Sequence, residues 1–418
     1  MPITRRTVLT SSLVAAVPGF LRARDRQAVR VGIMGLSRGT SLAKSFAAVP
    51  DTIVAAVCDA DSKRTADCLA SLQKAKVPAP KAVKDFRELL DDQSIDVFIC
   101  AAPNFWHAPA SILACQAGKH VYVEKPCSHT PHEGERLVAA ARKHNRTVQM
   151  GTQRRSHPKF IEAIGELRKG VIGNVYFGQG WYQNNRPSIG RGQAVAVPAH
   201  LDFDAWQGPV TRRPYVSNLV HYNWHWRWHW GNGELGNNGV HYIDILRWGL
   251  GVTYPERVTS SGGRYKFDDD QETPDTHVVN FEFPGKKMIT WEGFSRNQLP
   301  HHKPVEMLFH GESGTMTLDG GGYTIYDNKA REVKKATGTA SDVTHAANMI
   351  DCVRGTAKPN AEIAEGATST LLCHLGNIAH RVGRPLSCDP ATGRIRNDAD
   401  ASSHWTKEYA KGWAEVMA

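Results

Sequence analysis

The sequence predicts two domains, α/β followed by α+β. An N-terminal doubly wound parallel sheet comes first, then an α/β domain on an open-faced, largely antiparallel sheet. Three observations lead there. From Ala28, β-branched apolar runs alternate with amphipathic stretches, the order that winds into a parallel sheet with right-handed crossovers. From Asn174, strand-like runs instead follow one another through glycine-rich or Pro-Gly turns. The chain has 418 residues, 41% of them hydrophobic, whereas a single core rarely grows past about 250–300 residues. The expected divisions are 1–27 as leader and linker, 28–152 as the first domain and 153–418 as the second, with helices and a tail at its end.

The leader carries its own pattern. Thr4-Arg5-Arg6-Thr7-Val8-Leu9 is followed by a weakly apolar run over 11–20. This resembles a twin-arginine export signal, which implies export of an already folded chain and a periplasmic location. The run is too short for a membrane span, which needs about 20 residues. No membrane span is expected.

In the first domain the apolar runs predict strands over 29–34, 53–58, 95–101, 120–123 and 147–150. Helices are expected over 42–49, 107–117 and 131–144. The last opens on Thr130, Pro131 and Glu133, a capping box with proline at the first helical position. In the second domain strands are expected over 175–182, 276–283, 287–293, 304–309 and 315–318. Helical periodicity returns over 240–248, 345–354 and 364–380.

The first turn reads Gly32-Ile33-Met34-Gly35-Leu36-Ser37-Arg38-Gly39-Thr40. It departs from a full G-x-G-x-x-G, with Ser37 in one glycine position and Gly39 one place early. Its setting compensates: a strand precedes it, a helix follows, and Asp59 ends the next strand. A turn of this kind lets the backbone, at Gly35, Ser37, Arg38 and Gly39, approach a pyrophosphate at a helix N-terminus. This predicts a Rossmann dinucleotide-binding fold. Asp59 would accept the adenosine ribose hydroxyls and repel a 2′-phosphate, which favours NAD. Lys63 and Arg64 leave NADP open.

Two further segments are specific. The first is Ala101-Ala102-Pro103-Asn104-Phe105-Trp106-His107 followed by Val121-Tyr122-Val123-Glu124-Lys125-Pro126. The second is Gly236-Asn237-Asn238-Gly239-Val240-His241-Tyr242-Ile243-Asp244. Together, in this order, they resemble the glucose-fructose oxidoreductase, inositol dehydrogenase and MocA family (Gfo/Idh/MocA). The resemblance implies that Pro103 and Asn104 line the nicotinamide side of a cofactor. It implies that Glu124 and Lys125 form the E-K-P pair, with the lysine beside nicotinamide and substrate, and that His241 is a general acid/base. His107 caps, packs or lines the cofactor. Asn237 stands where many members have Asp. It could orient His241 but brings no charge, so His241 should be less basic than in those members. Glu234 is a candidate replacement carboxylate. Asp244 either binds substrate hydroxyls or locks its helix. Arg154 falls where members begin to contact substrate. By the same resemblance the chain should self-associate through its second sheet.

Before His241 lies His221-Tyr222-Asn223-Trp224-His225-Trp226-Arg227-Trp228-His229-Trp230, with four tryptophans and three histidines. In an extended conformation the tryptophans share one side, and Trp224, His225 and Trp228 are candidates to stack on and bind a sugar. A metal site from His225 and His229 lacks an acidic ligand nearby, so none is expected.

Composition narrows the function. The formal charge is +10, but basic residues are dispersed among acids and form no stripe, which argues against nucleic acid. The eight cysteines contain no C-x-x-C pair, so neither a zinc site nor a disulfide framework is expected. The resulting expectation is a nicotinamide-dependent oxidoreductase acting on a secondary hydroxyl of a small carbohydrate, exported with its cofactor tightly held. Two alternatives remain: a nicotinamide-dependent glycosidase working by transient ring oxidation and elimination, and a non-catalytic sugar-binding protein.

Overall fold

A computed structural model describes residues 28–297 and 305–418, so the leader over 1–27 lies outside the described residues. The first domain alternates β1 (Val29–Met34), α1 (Arg38–Ala47), β2 (Thr52–Cys58), α2 (Ser62–Lys74), β3 (Lys81–Val83), α3 (Arg87–Asp91), β4 (Val97–Cys100), α4 (Asn104–Gln116), β5 (His120–Val123), α5 (Pro131–Lys143) and β6 (Val148–Met150). The strands make one parallel sheet in the order 3-2-1-4-5-6. The order reverses between β1 and β4, and a crevice forms there at the carboxyl ends of the strands.

The second domain contains α6 (Pro158–Arg168), β7 (Val175–Gln183), α7 (Phe203–Gln207), α8 (Val240–Leu250), β8 (Arg257–Gly263), β9 (Thr276–Phe283), β10 (Lys287–Phe294), β11 (Met307–Gly311), β12 (Gly314–Asp319), β13 (Gly322–Asp327), β14 (Glu332–Thr337), α9 (Asp342–Val353), α10 (Ile363–Val382) and β15 (Leu386–Ser387). Its nine-stranded sheet runs 14-13-12-11-7-10-9-8-15. The pairings are antiparallel except β7 with β10. α8 packs on β7, β10 and β11 and carries His241 at its start. No helix among the described residues is long and apolar enough to cross a membrane.

Several elements differ from the sequence reading. β8, β13 and β14 were not expected. β8 is rich in Ser and Gly, and β14 is a Lys-bearing edge strand, a composition that protects an open edge but hides the apolar period. α4 begins at Asn104, so His107 sits in its first turn and does not open it. Half of the expected capping box forms. Thr130 accepts from Glu133 N at 3.4 Å, but the Glu133 carboxylate accepts from His129 N at 2.7 Å and pairs with Lys407 at 2.7 Å. The tryptophan–histidine run is not extended. Asn223–Trp226 forms a 3₁₀ turn, and Trp224, Trp226 and Trp230 are buried.

Asp244 takes the helix-locking alternative. Arg155 donates to both of its carboxylate oxygens at 2.8 Å, Ser369 Oγ donates at 2.7 Å, and the aspartate is 1% exposed. It joins α8 and α10 to the turn Gln153–Ser156 after β6, and it is too deep to contact substrate. Opening a buried pair on one side leaves the other charge uncompensated, at a cost of about 3–5 kcal/mol. Asp244→Asn should therefore lower the denaturant midpoint by a corresponding amount, with the slope of the transition unchanged.

Candidate active site

A cleft of about 740 Å³ opens at the β1/β4 switch point and runs to the start of α8. At one end is the glycine turn. Gly35 has φ of 88°, and a Cβ there would lie 2.4 Å from Ala102 N, so the turn between β1 and α1 requires glycine. Gly39 plays a different part from the one expected. It packs α1 on β1, where a Cβ would meet Ile33 Cγ2 at 3.0 Å, and it does not line the cleft. Ser37 lines the cleft and makes no side-chain cap, which leaves the first amides of α1 for an anion. The Arg38 side chain is occupied elsewhere, on Glu124 at 3.0 Å and Asp342 at 2.7 Å. Asp59 Oδ2 accepts from Leu36 N at 2.7 Å and Oδ1 from Asp61 N at 3.0 Å, so the backbone of the turn holds the carboxylate toward the cleft. Burial raises its pKa. These groups fit a dinucleotide: a tight turn, free helix-terminal amides and an oriented carboxylate.

The cleft is covered by a strap that sequence reasoning missed. After β7 the chain leaves the second sheet and crosses to the first domain. Asp61, the N-cap of α2, is contacted by His200 Nδ1 at 3.0 Å and by His221 Nε2 at 2.7 Å. Ser62 N donates to His200 O and Asp202 N to Ala60 O, each at 2.9 Å. Trp106 of α4 donates its indole N–H to Trp206 O at 2.9 Å, and Phe105 meets Trp206 and Trp230 edge-on or tilted. Trp413, near the C-terminus, packs on Trp106 and also lines the cleft. Aromatic burial between α4 and the strap thus walls the Asp59 end of the cleft.

At the other end, Lys125 ends the strand-to-loop turn after β5. Its ammonium donates to Asn237 O at 2.7 Å and to Asn237 Oδ1 at 3.2 Å. It makes no ion pair among the described residues, and burial holds its pKa below 10.5. Asn237 lies in a π-helical turn, Leu235–Gly239, that feeds α8. The wider turn breaks the four-residue facing assumed from a regular helix. Asn237 therefore does not orient His241: its oxygen faces Lys125 and its amide faces Glu234 Oε1 at 3.4 Å. Glu234 is held by Arg186 Nε at 2.8 Å, and Arg186 also donates to the hydroxyls of Tyr182 and Tyr222. His241 lines the cleft, and its Nδ1 has no hydrogen-bond partner among the described residues. Its pKa lies well below 6.5, first because of burial, then because of Lys125, Arg154 and Arg38. The expected weak basicity is present, but desolvation and nearby cations cause it.

Pro103, Asn104, His107, Glu124, Trp224 and His225 also line this cleft. The His107 ring bridges Pro126 O at 2.5 Å and Ala102 O at 2.7 Å, tying the loop after β4 to the loop after β5. His225 stacks on Trp224 with ring centroids 3.6 Å apart, and burial pushes its pKa down to about 3. Three expected substrate residues, Trp228, Arg154 and the Asp244 described above, do not join them. Trp228 lines a separate cavity, and Arg154 lies beyond His241, paired with Glu306 at 2.7 Å and stacked over Tyr242. Arg186 and His200 went unnoticed because they lie outside every motif, and His221, which opens the tryptophan–histidine run, gave no sign in sequence that it would reach Asp61. Glu234 was visible from its spacing to Asn237.

With this geometry in view, similarity to known proteins can be read. The oxidoreductase family, NAD-binding Rossmann fold, matches residues 29–152, and its C-terminal alpha/beta domain matches 178–414. The chain belongs to the Gfo/Idh/MocA oxidoreductase family. Its first domain is that family's NAD-binding Rossmann fold. A glycosyl hydrolase family 109 protein of Saccharopolyspora erythraea is 33% identical over 162 residues, 37% of this chain and 35% of that one. The chain spans only about a third of the length of such curated relatives. Aldose-aldose oxidoreductase from Caulobacter crescentus, complexed with glycerol, superposes with TM-score 0.67 at 18% identity, covering 86% of this chain and 99% of the other. Levoglucosan dehydrogenase, in complex with NADH and levoglucosan, gives TM-score 0.67 at 17% identity with the same coverages. At these identities the superpositions establish the fold.

Lys125→Met should abolish turnover while nucleotide affinity stays within a few-fold of wild type, as measured by fluorescence titration. Unchanged turnover would refute a role for the ammonium.

Proposed function

We propose that this enzyme oxidises a secondary hydroxyl of a sugar or polyol and keeps its nicotinamide cofactor bound between turnovers, with NAD preferred to NADP. The observation that carries the reading is the single covered cleft joining the glycine turn and Asp59 to Lys125, Asn237 and His241. A bound nicotinamide supplies the hydride acceptor.

The chain's own groups handle the proton and the developing charge. His241, neutral at neutral pH, is the base for the hydroxyl proton. Lys125, aimed by Asn237, steadies the oxygen as it becomes alkoxide-like, and its low dielectric surroundings strengthen that interaction. Glu234 and Arg186 hold the Asn237 amide so that its oxygen stays on the lysine. The Trp224–His225 stack offers an aromatic wall for a sugar ring. Asp59 favours a free 2′-hydroxyl, and Arg64, whose Nε has no partner among the described residues, is the group that would tolerate a 2′-phosphate. Export through a twin-arginine route accords with a cofactor loaded before transport. The open face of the second sheet, where Tyr176 is exposed, is the surface proposed for self-association.

The sign of the pH dependence follows from the two shifted groups. A base must be unprotonated, so kcat/KM should fall only as pH drops below 6.5, through the lowered value of His241. An ammonium must be protonated, so activity should also fall at alkaline pH, below 10.5, as Lys125 loses its proton. In His241→Ala the acid limb should vanish, and a retained acid limb would move the base elsewhere. Retention of the cofactor is tested by denaturing purified protein and identifying the released nucleotide by mass spectrometry. Wild type should release close to one nicotinamide nucleotide per chain. The double variant His200→Ala/His221→Ala, which frees the strap from Asp61, should lose it on gel filtration. Nucleotide-free wild type would sink the proposal of retention.

A second reading, the nicotinamide-dependent glycosidase, is favoured by the family 109 relative. There, transient oxidation of a ring hydroxyl acidifies the adjacent C–H and elimination breaks the glycosidic bond. Aryl glycosides discriminate between the two: release of the aglycone without net nicotinamide reduction supports the glycosidase, and net reduction by free sugars supports the dehydrogenase.

A further inference from the structure

Behind the catalytic loop lies a second cavity of about 440 Å³, walled by the loop after β5, the strap, α10 and the C-terminal tail. Its lining is polar and cationic. Arg213 and Arg381 stand in its wall, and neither forms an ion pair among the described residues. Lys407 stands deeper, on Glu133 at 2.7 Å and His129 Nδ1 at 2.8 Å. Four imidazoles, His129, His229, His374 and His404, also face it, and burial is the first cause that holds each below its ordinary pKa. They serve as neutral donors and acceptors. Asn377 is 5% exposed; its amide nitrogen donates to Asn232 O at 2.8 Å, and its amide oxygen has no partner among the described residues. That oxygen is open to the cavity and can accept from a ligand hydroxyl. Trp228 presents a half-buried indole, with the Arg381 guanidinium 5.4 Å from its centroid. Glu272, on the same wall, accepts from Trp228 N through Oε2 at 2.7 Å.

From this set we infer that the second cavity binds a small hydroxylated carboxylate, a sugar acid, separately from the catalytic cleft. The unpaired guanidiniums match a carboxylate. The indole gives a ring an apolar surface. Glu272, Asn377 and the imidazoles accept and donate to hydroxyls. Glu272 and Glu408 in the same wall disfavour a compact dianion such as phosphate. The volume lies within the range of small-ligand sites, about 300–1,000 Å³. Hydrogen bonds join the cavity to the cleft: Asn232, which lines the cavity, accepts from Asn104 Nδ2 of the cleft at 3.0 Å, and Val210 O, also of the cavity, accepts from Arg212 Nη1 of the cleft at 3.0 Å.

Calorimetric titration of the purified enzyme with glucuronate, glucose and inorganic phosphate tests the inference. Glucuronate should bind wild type at one site per chain in preference to the other two. Arg213→Gln/Arg381→Gln should weaken it at least tenfold, and Trp228→Ala severalfold, with thermal midpoints near wild type because neither arginine holds an ion pair. Lys125→Met, at the catalytic cleft, should leave this binding unchanged. Binding lost in Lys125→Met but kept in the double arginine variant would assign the ligand to the cleft and overturn the inference. Tighter binding of phosphate than of glucuronate, or no binding of glucuronate, would overturn it as well.

Discussion

The interaction on which the rest depends is the Lys125 ammonium held on Asn237. Lys125 belongs to the first domain and Asn237 to the second, so two short contacts, 2.7 and 3.2 Å, fix where the domains meet at the cleft. A buried ammonium without a carboxylate partner is expensive, and polar oxygens must compensate for the lost water. The π turn exists at that point in the chain and delivers both a backbone and a side-chain oxygen from one residue. Glu234 and Arg186 stand behind it and keep the amide from rotating away.

That arrangement also sets the electrostatics of the site. The lysine, Arg38 and Arg154 all disfavour a charge on the nearby imidazole, and burial disfavours it more. Among the described residues His241 Nδ1 has no hydrogen-bond partner, which leaves it available to a bound molecule. By contrast, Asp244, three residues further along the same helix, spends its charge on Arg155 and Ser369. Two polar residues in one motif thus divide between the cleft and the packing behind it.

The strap gives the site its second character. A dinucleotide crevice is ordinarily open along one side. Here His200 and His221 fasten the strap to Asp61, and Trp206 packs against Phe105. These are local polar and aromatic contacts between the strap and the first domain.

Much of this was legible in the linear chain. Period-two and helical apolar patterns predicted the parallel sheet, and Gly35, Asp59, Glu124-Lys125-Pro126 and His241 marked the cleft, because such roles need residue types that short motifs preserve. The tryptophan run misled. Its alternation suited an extended strand, but burying three indoles favoured a compact 3₁₀ turn, which sent Trp228 into a different cavity from Trp224. Arg186, the strap histidines and the cationic second cavity depend on residues tens to hundreds of positions apart. Local chemistry settled which groups could bind a dinucleotide and move a proton. Only tertiary packing, by excluding water and choosing which distant charges meet, decided that Asn237 faces the lysine, that Asp244 pairs with Arg155 and that a strap lies along the cleft.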